Sequence, residues 1–303
     1  MQETKFIWFN GKLIPWRECK VHILTHTMHY GSGAFEGMRF YQTADGRSAI
    51  FRLREHVSRL MKSFSIFGTK APYSHEEIEK AIVDTVKANI SVCPEGYVRP
   101  IIFHDYGVMG LNPEKARVSV AIAVWQWGAY LGHDSVKVKT SSYIRLHPKS
   151  VVADAKICGY YVNSILASLE AKEQGFDEAL LLDYKKNIAE GPGENLFLVK
   201  KGKVFTPELG NILPGVTRNS VIEIARDLGY KVIEKKLSLG KLKRADEAFF
   251  TGTAAEVTAI SQVDDKLIGN GKQGMITEKI KQAYLDAVKG RNEKYIKWLT
   301  FVR

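Results

Sequence analysis

Cysteine and proline are scarce in this chain: three cysteines and nine prolines among 303 residues. Cys19, Cys93 and Cys158 are odd in number and irregular in spacing, so they suit neither a disulfide framework nor a zinc cluster. A reducing compartment is implied, and the cytoplasm is the expected location. His26 and His29 lie close together, but no second pair completes a metal site, so none is expected. Long apolar runs are also missing. The best, Val118 to Trp125, is the length of a strand, which argues against a membrane span. The opening Met1-Gln2-Glu3-Thr4-Lys5 has no apolar core, so a secretory leader is not expected. No internal repeat or low-complexity tract suggests an array or a long linker.

What is present has the balance of a soluble globular protein, with 45% hydrophobic and 25% charged residues. The length suits two compact domains. The formal net charge of +11 raises the question of nucleic acid. The lysines are interspersed with acids, however, and no RNA- or DNA-binding motif accompanies them. The densest basic stretch, Lys235 to Arg244, is interrupted by apolar residues and reads as a strand followed by a solvated turn. A diffuse positive field favours small anions instead.

Along the chain, Phe6–Phe9, Asn10-Gly11 and Lys12–Ile14 read as a hairpin, because Asn-Gly suits the positive φ angles of a tight turn. Ala49–Arg52 reads as a strand and Arg54–Phe67 as a helix. Ser74 and Glu77 form a capping box for a helix with an apolar stripe at Ile78, Ile82, Val86 and Ile90. Tyr97–Phe103 and Val118–Trp125 read as buried strands. The pattern dissolves around Trp127–Gly132, the candidate interdomain loop. Strands at Val136–Thr140 and Glu178–Leu182, a helix over Gly159–Gln174 and a hairpin over Asn195–Phe205 follow. Helices over Thr217–Leu228 and Thr277–Val288 complete the series. Strands and helices mix without strict alternation, which defines an α+β class.

Four stretches carry chemistry. Lys156 is flanked by small and apolar residues in Val152–Tyr161. Most lysines are solvated surface groups, but a desolvated amine here could form an imine with an aldehyde. Glu190-Gly191-Pro192-Gly193-Glu194-Asn195 is a tight loop entering a hydrophobic strand. It is either a surface turn or the holder of one buried carboxylate set against a cationic ring nitrogen. Leu213-Pro214-Gly215-Val216-Thr217-Arg218 precedes a helix, whose free N–H groups suit a phosphate or serve only as a plain N-terminus. Phe250–Glu256 is a small-residue turn that could bring N–H and hydroxyl donors to an anion or equally serve only as a helix cap.

With these residues quoted, the chain resembles the fold-type IV pyridoxal-phosphate enzymes, and among them the branched-chain amino acid aminotransferases. The likeness spans nearly the full length. It includes Trp8-Phe9-Asn10-Gly11, His29-Tyr30-Gly31, Phe35-Glu36-Gly37-Met38-Arg39, Arg54-Glu55-His56 with Arg59-Leu60, and Tyr97-Val98-Arg99-Pro100. Gly110-Leu111-Asn112-Pro113, Trp127-Gly128-Ala129-Tyr130, Glu190-Gly191 with Gly193–Phe197, Leu213-Pro214-Gly215 and Gly252–Glu256 complete it.

The resemblance implies a small α/β domain over residues 1–124, a loop over 125–136, and a larger pseudo-barrel domain over 137–303 carrying the lysine. Lys156 would be the imine-forming lysine and proton shuttle, Glu190 the partner of the pyridine nitrogen, and Tyr161 the partner of the ring hydroxyl. Arg59, Val216, Thr217 and Thr253 would hold the phosphate, and Leu213 would pack on the ring. Phe35, Tyr30, Trp127 and Tyr161 would wall an apolar pocket. Arg99, with Tyr30 and Tyr130, would take the distal carboxylate of glutamate or 2-oxoglutarate. Thr253 and Ala254 N–H groups would meet the α-carboxylate, while Arg39 and Tyr97 support the pocket. Met109 and Leu111 would reach the site from a second subunit of a homodimer or a hexamer built as a trimer of dimers. The implied substrates are leucine, isoleucine and valine with 2-oxoglutarate. Neither nucleic acid nor membrane is an expected partner. One departure is Cys158-Gly159-Tyr160-Tyr161 after the lysine, which keeps Gly159 and Tyr161 but changes their neighbours. Same-fold alternatives are a D-amino-acid aminotransferase, an (R)-amine aminotransferase and an aminodeoxychorismate lyase. A non-enzymatic basic protein is the reading from another class.

Overall fold

The computed structural model describes residues 2–128 and 135–302. Backbone contacts divide the chain into two units. One contains residues 1–128, 155–160 and 286–303, the other residues 129–154 and 161–285. This division is discontinuous, unlike the single change at 125–136 read from the sequence. The short segment carrying Lys156 packs with the N-terminal residues, and so does the C-terminal tail.

The first unit is built on an antiparallel sheet. Strands β1 (Phe6–Phe9) and β2 (Lys12–Pro15) form the hairpin that Asn10 and Gly11 close with φ of 46° and 92°. A short helix α1 (His26–Tyr30) leads to β3 (Gly33–Phe35), β4 (Met38–Gln42) and β5 (Ser48–Phe51). Helices α2 (Leu53–Ser65) and α3 (His75–Asn89) follow, then β6 (Gly96–His104) and β7 (Val118–Trp125). The sheet order is Leu299–Val302, β5, β4, β6, β7, β1, β2, with β3 alongside β6. The capping box is formed, as Ser74 and Glu77 imply, and Ile78, Ile82 and Val86 are buried against the sheet. Ile90 lies at the end of the stripe, only partly buried. Their neighbours in the core include Leu60, Phe64, Val98, Ile122 and Val124.

The second unit holds a mixed sheet. Its elements begin with β8 (Ser135–Ile144), α4 (Tyr161–Glu173), β9 (Glu178–Leu182), β10 (Ile188–Glu190), β11 (Asn195–Lys200) and β12 (Lys203–Thr206). Helix α5 (Val216–Asp227), β13 (Val232–Glu234), α6 (Leu239–Leu242), β14 (Glu247–Gly252), β15 (Glu256–Val263) and β16 (Lys266–Leu267) follow. The order is β10, β9, β8, β15, β14, β11, β12, β13, with β16 beside β15. Parallel pairing at β8–β9, β8–β15 and β12–β13 mixes with antiparallel pairing elsewhere. One point differs from the sequence reading: Lys235 to Arg244 is not strand then turn. The strand ends at Glu234, and Ser238 caps the short helix α6 by accepting from Lys241 N–H. Helix α7 (Met275–Val288) continues from this unit into the C-terminal tail.

Candidate active site

In the first unit, Ala155 and Ile157 are buried in the core on either side of Lys156, which is only partly buried. The segment is fixed at both backbone groups of the lysine: its N–H donates to Ser63 Oγ at 2.9 Å, and its carbonyl accepts from Phe35 N–H at 3.1 Å. Ala34 bridges Ile157. Lys156 Nζ lies 5.1 Å from the centroid of the Phe35 ring.

Also in this unit is a charged cluster of which sequence reasoning assigned only Arg59. Glu36 is fully buried and accepts from Arg59 Nε at 2.5 Å, Arg59 Nη2 at 3.0 Å and His56 Nδ1 at 2.8 Å. Burial alone would push the Glu36 carboxyl up. The charge of Arg59, with hydrogen bonds from Arg59 and His56, outweighs that and holds it well below the usual carboxylate range. His56 is buried too, and desolvation lowers its pKa despite Glu36, so the imidazole stays neutral near pH 7. A carboxylate only accepts, which assigns the proton to Nδ1. His56, Arg59 and Ser63 recur along one face of α2, so a single helix orients both Glu36 and the lysine segment.

Arg99, on β6, is a cation among rings. Its Cζ lies 4.8 Å from the Phe35 centroid, 5.5 Å from Tyr97 and 5.6 Å from Trp125. Its Nε is buried and has no hydrogen-bond acceptor among the described residues. A guanidinium lying among rings, with one buried donor unfilled, is suited to an incoming carboxylate. Tyr97 packs edge-on against Trp127, with centroids 4.5 Å apart. A side chain at position 37 would collide with the Tyr97 hydroxyl, so Gly37 is required by this close approach. Arg39 Nη2 donates to the Gly128 carbonyl at 2.7 Å. Tyr30 Oη accepts from Gly110 N–H at 3.2 Å, and His26 Nε2 contacts the Gly110 carbonyl at 2.7 Å. Tyr30 thus pins the loop from which Met109 and Leu111 project; Leu111 is 89% exposed. Tyr130 lies outside the described residues.

In the second unit, Glu190 ends β10 and is 5% exposed. One oxygen accepts from Arg145 Nε at 2.6 Å, and the other from Asn195 Nδ2 at 2.9 Å. The Leu213 N–H reaches both, at 3.2 and 3.1 Å. Asn195 also donates to the Leu213 carbonyl, and a Cβ at Gly215 would strike its side-chain oxygen. The Leu213-Pro214-Gly215 turn is therefore glycine-bearing because an amide occupies the space. Gly215 leads into α5, whose first turn has neither a side-chain cap nor an acid. Its leading N–H groups lack intrahelical acceptors by helix geometry, and Val216 and Thr217 are buried there. Buried Arg218 anchors the same turn to Glu234 and the Pro207 carbonyl, both at 2.8 Å. Thr253, Ala254 and Ala255 form the three-residue turn between β14 and β15, closed by Glu256 at φ 53°. Thr251, on β14 opposite Asn195, is fully buried, and its hydroxyl has no partner among the described residues. Tyr161 is the first residue of α4.

Arg145, Asn195 and Thr251, like Glu36 and His56, have no role assigned from sequence. Arg145 stands alone between Ile144 and Leu146 with no motif to mark it. Glu36 and Asn195 do sit inside quoted motifs, and their buried-acid and amide chemistry was the available signal. These donors fit a phosphorylated pyridine: an uncapped helix start for an anion, an arginine-held buried carboxylate for a ring cation, and an orphan hydroxyl in the same unit. Among the described residues, no cluster of His, Cys, Asp and Glu suits a metal ion, and no helix is long and apolar enough to cross a membrane.

Residues 33–263 match the family model described as amino-transferase class IV, and the chain belongs to that family. A branched-chain-amino-acid aminotransferase of Pseudomonas aeruginosa is 45% identical, covering 98% of this chain and 97% of its own. Two solved structures of the branched-chain amino acid aminotransferase from T.th. superpose over the whole of both chains. The one complexed with N-(5'-phosphopyridoxyl)-L-glutamate has a TM-score of 0.94 at 42% identity. The one complexed with 4-methylvaleric acid has a TM-score of 0.93 at 40% identity. The α+β class and two-domain organisation expected from the sequence agree with this family.

Proposed function

We propose that the chain is a branched-chain amino acid aminotransferase that uses pyridoxal 5'-phosphate, moving the amino group of leucine, isoleucine or valine to 2-oxoglutarate. The observation that carries this is Arg99, a cation boxed by Phe35, Tyr97 and Trp125 with an unfilled buried donor. One pocket must take both a branched apolar side chain and the distal carboxylate of glutamate. Rings supply the first need, and a guanidinium among them supplies the second. The relatives support this: one T.th. structure holds a glutamate adduct and another a branched apolar acid.

When bound, pyridoxal 5'-phosphate supplies an aldehyde that takes up the amino group and a ring that accepts the electron pair left at Cα. Lys156 Nζ would hold the cofactor until the substrate's amino group displaced it. The freed amine would then carry the proton from the substrate's Cα to the cofactor's C4′. Glu190, held by Arg145 and Asn195, would stabilise a protonated ring nitrogen, and Tyr161 would donate to or accept from the ring hydroxyl. Arg59, Thr217 and Thr253, with the N–H of Val216, would hold the phosphate; Leu213 would cover the ring. Ala254 and Thr253 N–H groups would take the α-carboxylate. Phe35, Tyr30 and Trp127 would exclude water, with Arg39 and Tyr97 holding their geometry. Tyr130 completes the proposed anion clamp, and Met109 and Leu111 the proposed contribution from a second copy, in a dimer or a trimer of dimers in the cytoplasm.

The test is a donor panel with 2-oxoglutarate, run beside borohydride reduction and peptide mass spectrometry. Leucine, isoleucine or valine should be donors, and reduction should leave the cofactor mass on Lys156. Activity confined to D-alanine, or pyruvate release from aminodeoxychorismate, would instead select a same-fold alternative. Modification at another lysine would reject the proposed role of Lys156.

A further inference from the structure

The basic stretch Lys235 to Arg244 plays no part in the chemistry above, yet the fold gathers it around a cavity. In the second unit a cavity of about 240 Å³ is lined by Leu198, Phe205 and Leu237 with Lys200, Lys235, Lys241 and Arg244. Leu198 and Leu237 belong to the apolar core of this unit, and Phe205 packs against it. The cavity is thus an opening at the core's edge, with an apolar floor and a cationic rim.

Among the described residues, only Lys200 of the four rim cations is paired with an acid, and the other acids nearby are engaged elsewhere. Asp246 pairs with Lys200 at 2.6 Å, and Glu234 with Arg218 at 2.8 Å. Glu208 lies 3.8 Å from Lys236, while Asp264 and Asp265 hold Lys243 at 3.0 and 3.2 Å. Lys235, Lys241 and Arg244 make no ion pair among the described residues. Lys235 Nζ instead sits 4.8 Å from the Phe205 ring centroid, so its ammonium lies over the aromatic floor. Three uncompensated cations around an open apolar floor repel one another, and an anion relieves that repulsion. An apolar body on that anion would also cover exposed floor area.

We propose that this cavity is a second ligand site, taking a small organic anion with a carboxylate, phosphate or sulfonate head and a compact apolar or aromatic body. A water occupies roughly 30 Å³ of liquid, so the space of about 240 Å³ suits a body of about eight non-hydrogen atoms. None of its lining residues belongs to the candidate active site, so occupancy does not compete with substrate directly.

The experiment is calorimetric titration of the cofactor-loaded enzyme with phenyl phosphate, at saturating 2-oxoglutarate and without an amino donor. Inorganic phosphate and benzyl alcohol serve as the head-only and body-only probes. The expected result is one saturable site that weakens as salt rises, with both control probes at least about tenfold weaker. Lys235→Gln combined with Lys241→Gln should weaken phenyl phosphate about tenfold or more while leaving transamination unchanged. Phe205→Leu should weaken phenyl phosphate but not inorganic phosphate. Phenyl phosphate binding that survives the double substitution, or that inorganic phosphate equals, would overturn the proposal. So would absence of saturable binding.

Discussion

Glu36 and Arg59 form a two-point ion pair, Nε to Oε1 at 2.5 Å and Nη2 to Oε2 at 3.0 Å, with the carboxylate wholly buried. The fork geometry fixes the guanidinium plane before any ligand arrives. Glu36→Gln keeps the shape but removes the buried charge that Arg59 pairs with. Breaking a buried pair in this way costs about 3–5 kcal/mol. A lowered unfolding midpoint for the cofactor-free protein is therefore expected. An unchanged midpoint in urea or heat would show the pair to be dispensable.

Acid stability should fall in two stages. Native His56 and His104 have lowered pKa values, in both cases chiefly through burial, while an unfolded imidazole has 6.5. Below about pH 6.5 the unfolded state therefore binds more protons than the native one, and stability falls with pH. Glu36 is depressed as well, so a further loss begins below its ordinary 4.5. Urea midpoints from pH 8 to pH 3 check this, and His56→Asn should flatten the upper stage. Stability rising on acidification from pH 7 to 5 would contradict the neutral imidazole.

Arg145→Ala removes the guanidinium held against buried Glu190 and keeps the carboxylate's contacts with Asn195 and the Leu213 N–H. Its charge should then be harder to maintain, and retention of the cofactor should weaken by about 3 kcal/mol or more. Cofactor release on dialysis, followed by absorbance, reads this directly, with Arg145→Lys intermediate. Wild-type retention in Arg145→Ala would show that Asn195 and Leu213 suffice.

Arg99→Ala should discriminate between the two substrate classes. Loss of the boxed guanidinium is expected to weaken 2-oxoglutarate by about 2–5 kcal/mol and the branched-chain oxo acids far less. Comparing kcat/KM for both acceptors decides it. Equal losses would make Arg99 a structural cation of the aromatic cluster.

Gly37→Ala places a methyl on the Tyr97 hydroxyl. Tyr97 must then move, disturbing its contacts with Trp125 and Trp127, at a cost of about 1–3 kcal/mol. A lower unfolding midpoint should accompany changed tryptophan fluorescence. An unaltered spectrum would mean the ring does not hold its position.

By itself the sequence determined the local elements, because their signals are local. Asn10-Gly11 requires a tight hairpin, Ser74 and Glu77 cap α3, and Val118–Trp125 is a strand at the bounds read for it. Motif order also made the family legible. Tertiary structure alone decided the rest, because partners far apart in sequence leave no periodic trace. Arg145 meets Glu190 across 45 residues, and the Lys156 N–H donates to Ser63 across 93. Lys235–Arg244 departs from its sequence reading for the same reason. Its interrupted apolar pattern fits several local structures, and only packing against Leu198 and Phe205 made it the rim of a cavity. Charge can be counted from a sequence; whether each charge has a partner is settled by the fold.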